Sequence, residues 1–164
     1  METFQDYFNV SMQLLGALAL LIYGMKVMSE ALQKMAGPQL RHILGAMTTN
    51  RFTGMLTGAF VTCAVQSSSA TTVMTVSFVN AGLLTLAQAI SIIMGANIGT
   101  TITAWMVAFL GFKADISILA IPLMLFGFLF SNSKKDQRKN IGELIVGFCL
   151  LFLGLSFMKE SVPD

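Results

Sequence analysis

Apolar residues come in long blocks along this chain, and the polar positions between them mark the elements. The first block predicts a helix over residues 8–32 that loses its apolar character after Lys26. Gly37-Pro38 is a strong stop signal. Leu40, Ile43, Leu44 and Met47 then recur at i, i+3, i+4 and i+7, with Arg41 and His42 elsewhere on the turn. Residues 39–50 are therefore expected to form an amphipathic helix at a membrane interface. His42, the single histidine, reads as a surface group.

From Phe52 to Phe112 there is no charged residue and no histidine, a run of 61 positions. As one helix it would reach roughly 90 Å, against a bilayer core of about 30 Å, so it must fold back. Residues 52–65 are apolar, with Gly54 and Gly58 in a GxxxG that predicts close helix packing. A polar patch follows, Gln66-Ser67-Ser68-Ser69-Ala70-Thr71-Thr72. Residues 72–79 are apolar again and end at Asn80-Ala81-Gly82, a turn signal. After another apolar stretch comes a second polar, glycine-rich patch, Gly95-Ala96-Asn97-Ile98-Gly99-Thr100-Thr101, and residues 102–110 complete that pass. Lys113 and Asp115 mark a short turn before a helix carrying Pro122. Residues 131–140 read as a hydrophilic loop, and the last helix is expected over 141–158.

Composition turns this pattern into a class. The chain of 164 residues is 55% hydrophobic and 11% charged, where soluble domains carry about 25% charged residues. Its mean hydropathy is +0.75. A disordered chain and a typical soluble enzyme are excluded, and a net charge of +2 is too small for a polyanion partner. The expected fold is all-α, a polytopic membrane protein with a single membrane domain over 1–164. Cys63 and Cys149 sit in apolar runs and read as buried thiols acting as small hydrophobes. Glu2 and Asp6 stand where a signal peptide would be cationic, so none is expected. The last helix resembles the first. At an offset of 130, Leu14, Leu20, Leu21, Gly24, Met28 and Glu30 fall on Leu144, Leu150, Leu151, Gly154, Met158 and Glu160. Either two apolar helices are alike by chance, or residues 1–140 form one structural repeat and 141–164 supply the first helix of a second that is otherwise missing; the repeat is the expected reading.

The two polar patches carry the chemistry. Unpaired polar groups are costly in lipid, and three consecutive serines on a helix face three directions. A broken helix accommodates them better: two half-helices meeting at Gln66–Ser69 inside the protein, a re-entrant hairpin over 52–82. The half-helix that begins there presents bare N–H groups and serine hydroxyls, an anion site without Lys or Arg. The half-helix that ends there presents carbonyls, which with the Gln66 amide oxygen suit Na⁺. The second patch can repeat the arrangement, with Asn97, Thr100 and Thr101 as ligands and glycines for close approach. A proton-coupled site ordinarily needs a titratable group at depth, and the run has none. Na⁺ is therefore the expected coupling ion, with no other cofactor. A serine hydrolase would need a base, and Lys26, Lys34 and His42 all lie outside the run. The chain is not expected to be an enzyme.

Three segments together, Val61-Thr62-Cys63-Ala64-Val65-Gln66-Ser67-Ser68-Ser69, Ala81-Gly82-Leu83-Leu84-Thr85 and Ile93-Met94-Gly95-Ala96-Asn97-Ile98-Gly99-Thr100-Thr101, resemble the type II sodium-dependent phosphate cotransporter family. The resemblance implies a bacterial member in the inner membrane. It also implies one half of an inverted-repeat transporter fold, since members carry two QSSS motifs at re-entrant hairpin tips. It implies phosphate and Na⁺ at Gln66, Ser67, Ser68 and Ser69, with Thr62, Thr71, Thr72, Asn97, Thr100 and Thr101 around them. Gln66, Ser68, Asn97 and Thr101 are the Na⁺ candidates. One QSSS cannot build a two-sided site, so a homodimer is expected, and an antiparallel pair would mimic the inverted repeats. The alternative is a folded half that dimerises without transporting. If 52–82 is a hairpin, Lys26, Lys34, Arg41, Arg51 and the 134–139 cations share one side, which the positive-inside rule makes cytoplasmic. The resemblance implies a cytoplasmic N-terminus instead, so orientation stays open.

Overall fold

Helix capping and glycine seams account for most of the architecture. The computed structural model describes residues 2–113 and 117–161. Six helices are described: α1 (Glu2–Met47), α2 (Arg51–Val65), α3 (Ser68–Asn80), α4 (Leu86–Lys113), α5 (Ser117–Ser131) and α6 (Asp136–Ser161). They form two units, one of Leu32–Ala108 and one of the chain before and after it. Of the expected turn at Lys113 and Asp115, Lys113 closes α4 and Asp115 lies outside the described residues. α1, α4 and α6 are each long and apolar enough to cross a membrane.

In the Leu32–Ala108 unit, polar caps set the helix ends. The Asn50 side chain accepts from the Thr53 amide at 2.9 Å, and Thr53 Oγ1 accepts from the Asn50 amide at 3.0 Å. This reciprocal capping box starts α2. Thr85 and Gln88 do the same for α4, with bonds of 2.9 and 3.3 Å. Gln88 also donates to the Thr48 carbonyl at 2.5 Å, tying α4 to the chain after α1. Gly82 takes φ +72 in the turn between α3 and α4, where the sequence places a turn. Leu84 beside it is buried in the core with Leu40, Leu44, Val61, Val65, Met74 and Ile92.

The GxxxG reading of α2 holds. A Cβ built on Gly58 would overlap the Ile92 carbonyl, and one on Gly54 would lie 2.9 Å from the Ser91 side chain. α4 answers with its own pair: a Cβ on Gly95 would overlap the Met55 carbonyl, and one on Gly99 would lie 2.6 Å from the Ala59 carbonyl. The two helices therefore meet backbone to backbone. On α2, Phe52, Leu56 and Phe60 point outward at i, i+4 and i+8, all well exposed. Such a stripe suits lipid rather than water.

In the other unit, the first part of α1 packs on α6 through glycines. A Cβ on Gly24 would overlap the Leu151 amide and lie 2.8 Å from the Gly147 carbonyl. One on Gly154 would lie 2.6 Å from the Leu21 amide and 2.8 Å from the Ala17 carbonyl. Contacts move up α1 as they move down α6, so the two helices run antiparallel here. α5 packs on α6 where Gly142 meets Gly127 and Ser131.

Three sequence expectations are corrected. α1 does not stop at Gly37-Pro38 but continues through Pro38 to Met47. Pro38 removes one amide donor and costs about 3 kcal/mol, yet its fixed φ is helical. Burying Leu40 and Leu44 on the next turn favours continuation. The amphipathic face is partly as expected: Leu40 and Leu44 are buried and Arg41 and His42 exposed, but Met47, expected on the apolar face, is exposed. Second, α4 is unbroken through Gly95–Thr101. Its glycines serve the seam with α2 rather than a chain break. Third, α6 begins at Asp136, so half of the expected hydrophilic loop is helical. An acidic residue in the first turn complements the helix dipole there.

Candidate functional site

The expected break is present. α2 ends at Val65 and α3 begins at Ser68, with Gln66 and Ser67 between them. Gln66 adopts φ 60, ψ 24, the left-handed region. It is the sole non-glycine with positive φ among the described residues. Helices ordinarily place glycine at such an end, and a side chain there costs roughly 1–2 kcal/mol. Ser67 is extended and caps α3, its hydroxyl accepting from the Ala70 amide at 3.2 Å.

Two buried threonines hold the helices against each other. Thr62 Oγ1 donates to Thr71 Oγ1 at 3.0 Å, and Thr71 Oγ1 donates to the Ser67 carbonyl at 3.2 Å. Thr62 and Thr71 are almost fully buried, so this chain of bonds is shielded from solvent and fixes the distance across the break. The Thr71 amide also donates to the Ser67 carbonyl, at 3.2 Å. The Ser68 and Ser69 amides belong to the first turn, where no carbonyl of the same helix stands one turn behind. Ser67 and Ser69 hydroxyls lie 3.4 Å apart, and Ser69 is exposed. Thr72 bonds back to the Ser68 carbonyl at 2.8 Å. One side of the break thus gathers donors: two amides, the Ser67 and Ser69 hydroxyls and the positive end of α3.

The other side is different. Thr62's carbonyl accepts the Gln66 amide at 2.7 Å. The Gln66 side-chain NH₂ donates to the Cys63 carbonyl and, at 3.4 Å, to Thr103 Oγ1 on α4. Cys63 Sγ and Thr103 Oγ1 both donate to the Gly99 carbonyl, at 3.4 and 3.0 Å. This side is negative by helix polarity and rich in acceptors. Among the described residues no group of three or more His, Cys, Asp or Glu could hold a metal. A cation here would be met by neutral oxygens, as Na⁺ can be.

Gln66, Ser67, Ser68, Ser69, Thr62, Thr71 and Thr72 thus gather at one place. Asn97, Thr100 and Thr101 do not join them. Asn97 and Thr101 lie roughly 200° around α4 from Gly99 by helical geometry, away from α2, and all three are exposed. Thr100 and Thr101 hydroxyls bond back to Ala96 and Ile98 carbonyls. α4 reaches the break through Thr103 and Gly99 instead. Thr103 was not singled out in the sequence. Its signal was periodicity: Gly95, Gly99 and Thr103 recur at i, i+4 and i+8 on the face against α2.

The described residues thus give a helical chain with membrane-length apolar helices and a neutral, polarised helix break. The comparisons with known proteins are specific. The family described as Na+/Pi-cotransporter matches residues 20–160, and the chain belongs to that family. Its members are transporters rather than enzymes. The chain is 32% identical over 152 residues to YjbB of Escherichia coli (strain K12), whose name gives inorganic phosphate export as a provisional role. That match covers 92% of this chain and 27% of YjbB. The chain is 42% identical over 97 residues to sodium-dependent phosphate transport protein 2A of Rattus norvegicus, covering 58% of this chain and 15% of that protein. It is 41% identical over 97 residues to sodium-dependent phosphate transport protein 2B of Homo sapiens, covering 58% and 14%. The chain therefore spans about a quarter of the bacterial relative's length and less of the mammalian ones. No solved structure matches it. The chain is a membrane protein.

Proposed function

We propose that this chain is a unit of a sodium-coupled inorganic phosphate transporter in the bacterial inner membrane. Phosphate binds the donor side of the Gln66–Ser69 break, and Na⁺ binds the acceptor side. One observation carries this reading: α2 and α3 meet end to end at a two-residue break whose sides have opposite polarity. Lengths support a re-entrant placement. α2 and α3, of 15 and 13 residues, reach only about 20 Å each, short of the roughly 30 Å core. A hairpin that enters and leaves on one side puts the break at depth, where the donors and acceptors gain most from low dielectric.

The α1–α6 packing supports the inverted-repeat reading. The offset of 130 that aligns the two helices also exchanges their contacts: Gly24 on Leu151 becomes Gly154 on Leu21, and Gly24 on Gly147 becomes Gly154 on Ala17. Such reciprocity is what a two-fold axis between equivalent helices produces. The exposed Asn97 and Thr101 would then complete a site from a second repeat, in a second, antiparallel copy or elsewhere. Transport proceeds as the hairpin-bearing part moves against the rest. YjbB's name favours outward movement of phosphate, and the mammalian names favour Na⁺ dependence; a Na⁺ gradient of either sign serves the same site.

The test is radioactive phosphate flux in proteoliposomes with imposed Na⁺ gradients, comparing the parent chain with Ser68→Ala. Flux that follows the Na⁺ gradient and falls at least tenfold in Ser68→Ala supports the reading, since losing one anion donor costs about 1.5–3 kcal/mol. A folded dimer with no flux and no Na⁺-dependent phosphate binding defeats it and leaves a half that only assembles.

A further inference from the structure

Gln66 can serve its ligand through only one of its two polar atoms, and the neighbours of the side chain decide which. Its amide nitrogen sits against the Cys63 carbonyl. A carbonyl oxygen only accepts, so the amide group facing it must be NH₂ and not oxygen. The second proton of that NH₂ is directed at Thr103 Oγ1, 3.4 Å away. Thr103 spends its own proton on the Gly99 carbonyl at 3.0 Å. Its oxygen is therefore left as an acceptor toward Gln66. Cys63 Sγ donates to the same Gly99 carbonyl at 3.4 Å, which closes a ring of bonds between the end of α2 and the middle of α4. Gly99 makes the ring possible: a Cβ there would lie 2.6 Å from the Ala59 carbonyl and 2.9 Å from Thr62 Cβ.

With both N–H bonds directed into the protein, Oε1 is the part of the Gln66 amide available to a ligand. An oxygen acceptor repels phosphate and attracts a cation. We infer that Thr103 is a positioning residue that locks the Gln66 amide with its oxygen toward the break, making Gln66 a Na⁺ ligand and not a phosphate donor. This rests on the proposed function and deepens it, dividing the motif by chemistry: Gln66 for the cation, the serines for the anion. Partners that orient a metal ligand change metal affinity by about 10–100-fold when removed.

The experiment uses the full chain in lipid nanodiscs, with radioactive Na⁺ and radioactive phosphate measured separately at equilibrium. The parent chain tests the underlying reading: if it binds neither ion, the proposed function fails and this inference with it. If it binds phosphate in a Na⁺-dependent way, the variants decide. Thr103→Val keeps the shape and removes the acceptor. It should raise the half-saturating Na⁺ concentration about tenfold or more, while phosphate affinity at saturating Na⁺ stays within about twofold. Thr103→Ser, which keeps the acceptor, should restore Na⁺ affinity. Unchanged Na⁺ affinity in Thr103→Val overturns the inference. So does an equal loss for both ions, or a Thr103→Ser that behaves like Thr103→Val. Should Thr103→Val fail to fold, glutamine-selective isotope labelling of the parent gives the answer by NMR. Na⁺ should shift the Gln66 side-chain carbonyl carbon while its NH₂ protons remain protected from exchange. A carbonyl that responds only to phosphate overturns the inference.

Discussion

Gln66 holds a backbone conformation that glycine adopts without strain. In exchange for that strain the chain gains an amide at the break, bonded to Cys63 and Thr103. Gln66→Gly should therefore separate folding from binding. Relief of the left-handed strain, roughly 1–2 kcal/mol, offsets the two lost side-chain bonds, about 1 kcal/mol each. The expected outcome is a melting temperature in detergent close to the parent's, with Na⁺-dependent phosphate binding abolished. A large loss of stability would show that Gln66 is there to hold the helices. The residue was legible in the sequence because Gln-Ser-Ser-Ser offers polar groups in more directions than one helix face can satisfy. Thr103 was not, because it sits among apolar residues and acquires its role only from the turn of α4 that Gly99 brings against α2.

Helix ends and helix seams compete for the same residues at the next scale. Glycine beside polar residues marks both, and sequence alone does not separate them. At Asn80-Ala81-Gly82 the mark means a turn, and Gly82 takes positive φ. At Gly95–Thr101 it means a seam, and the helix continues. The difference lies in what stands opposite: a carbonyl of α2 fills the space a Cβ would need at Gly95. Pro38 was misread for a similar reason, since the apolar residues beyond it bury and carry the helix onward. Substitution distinguishes the two kinds of glycine. Gly58→Ala and Gly95→Ala should each cost about 3 kcal/mol by forcing α2 from α4. Gly16→Ala and Gly45→Ala, with nothing within 4 Å, should be neutral or stabilising by up to about 1 kcal/mol. Thermal denaturation in one detergent would rank all four, and equal effects would contradict the seam.

For the whole molecule, the all-helical class and the membrane character were readable from the uncharged run and the block pattern, because lipid leaves few alternatives for the backbone. The resemblance between first and last helices was readable as six matches, but their mutual packing was not, since helix contacts depend on azimuth as well as identity. That packing makes the repeat testable. If α1 and α6 are equivalent helices about a two-fold axis, Gly24→Ala and Gly154→Ala should destabilise by nearly the same amount, about 2–3 kcal/mol each. A melting difference above about 1 kcal/mol between them would argue for chance similarity.

The glycine seam between α2 and α4 has an evolutionary corollary. Where two main chains touch, no rotamer can be traded to absorb a mutation, so the shape of the scaffold that holds the break is inherited whole or lost. Laboratory selection for a new ion preference should accordingly harvest changes at Gln66, Ser69 or Thr103 and return none at Gly58, Gly95 or Gly99. On the proposed function, the capacity to take a different cargo lies in the side chains of the break, and the heritable rigidity lies in three residues that have none.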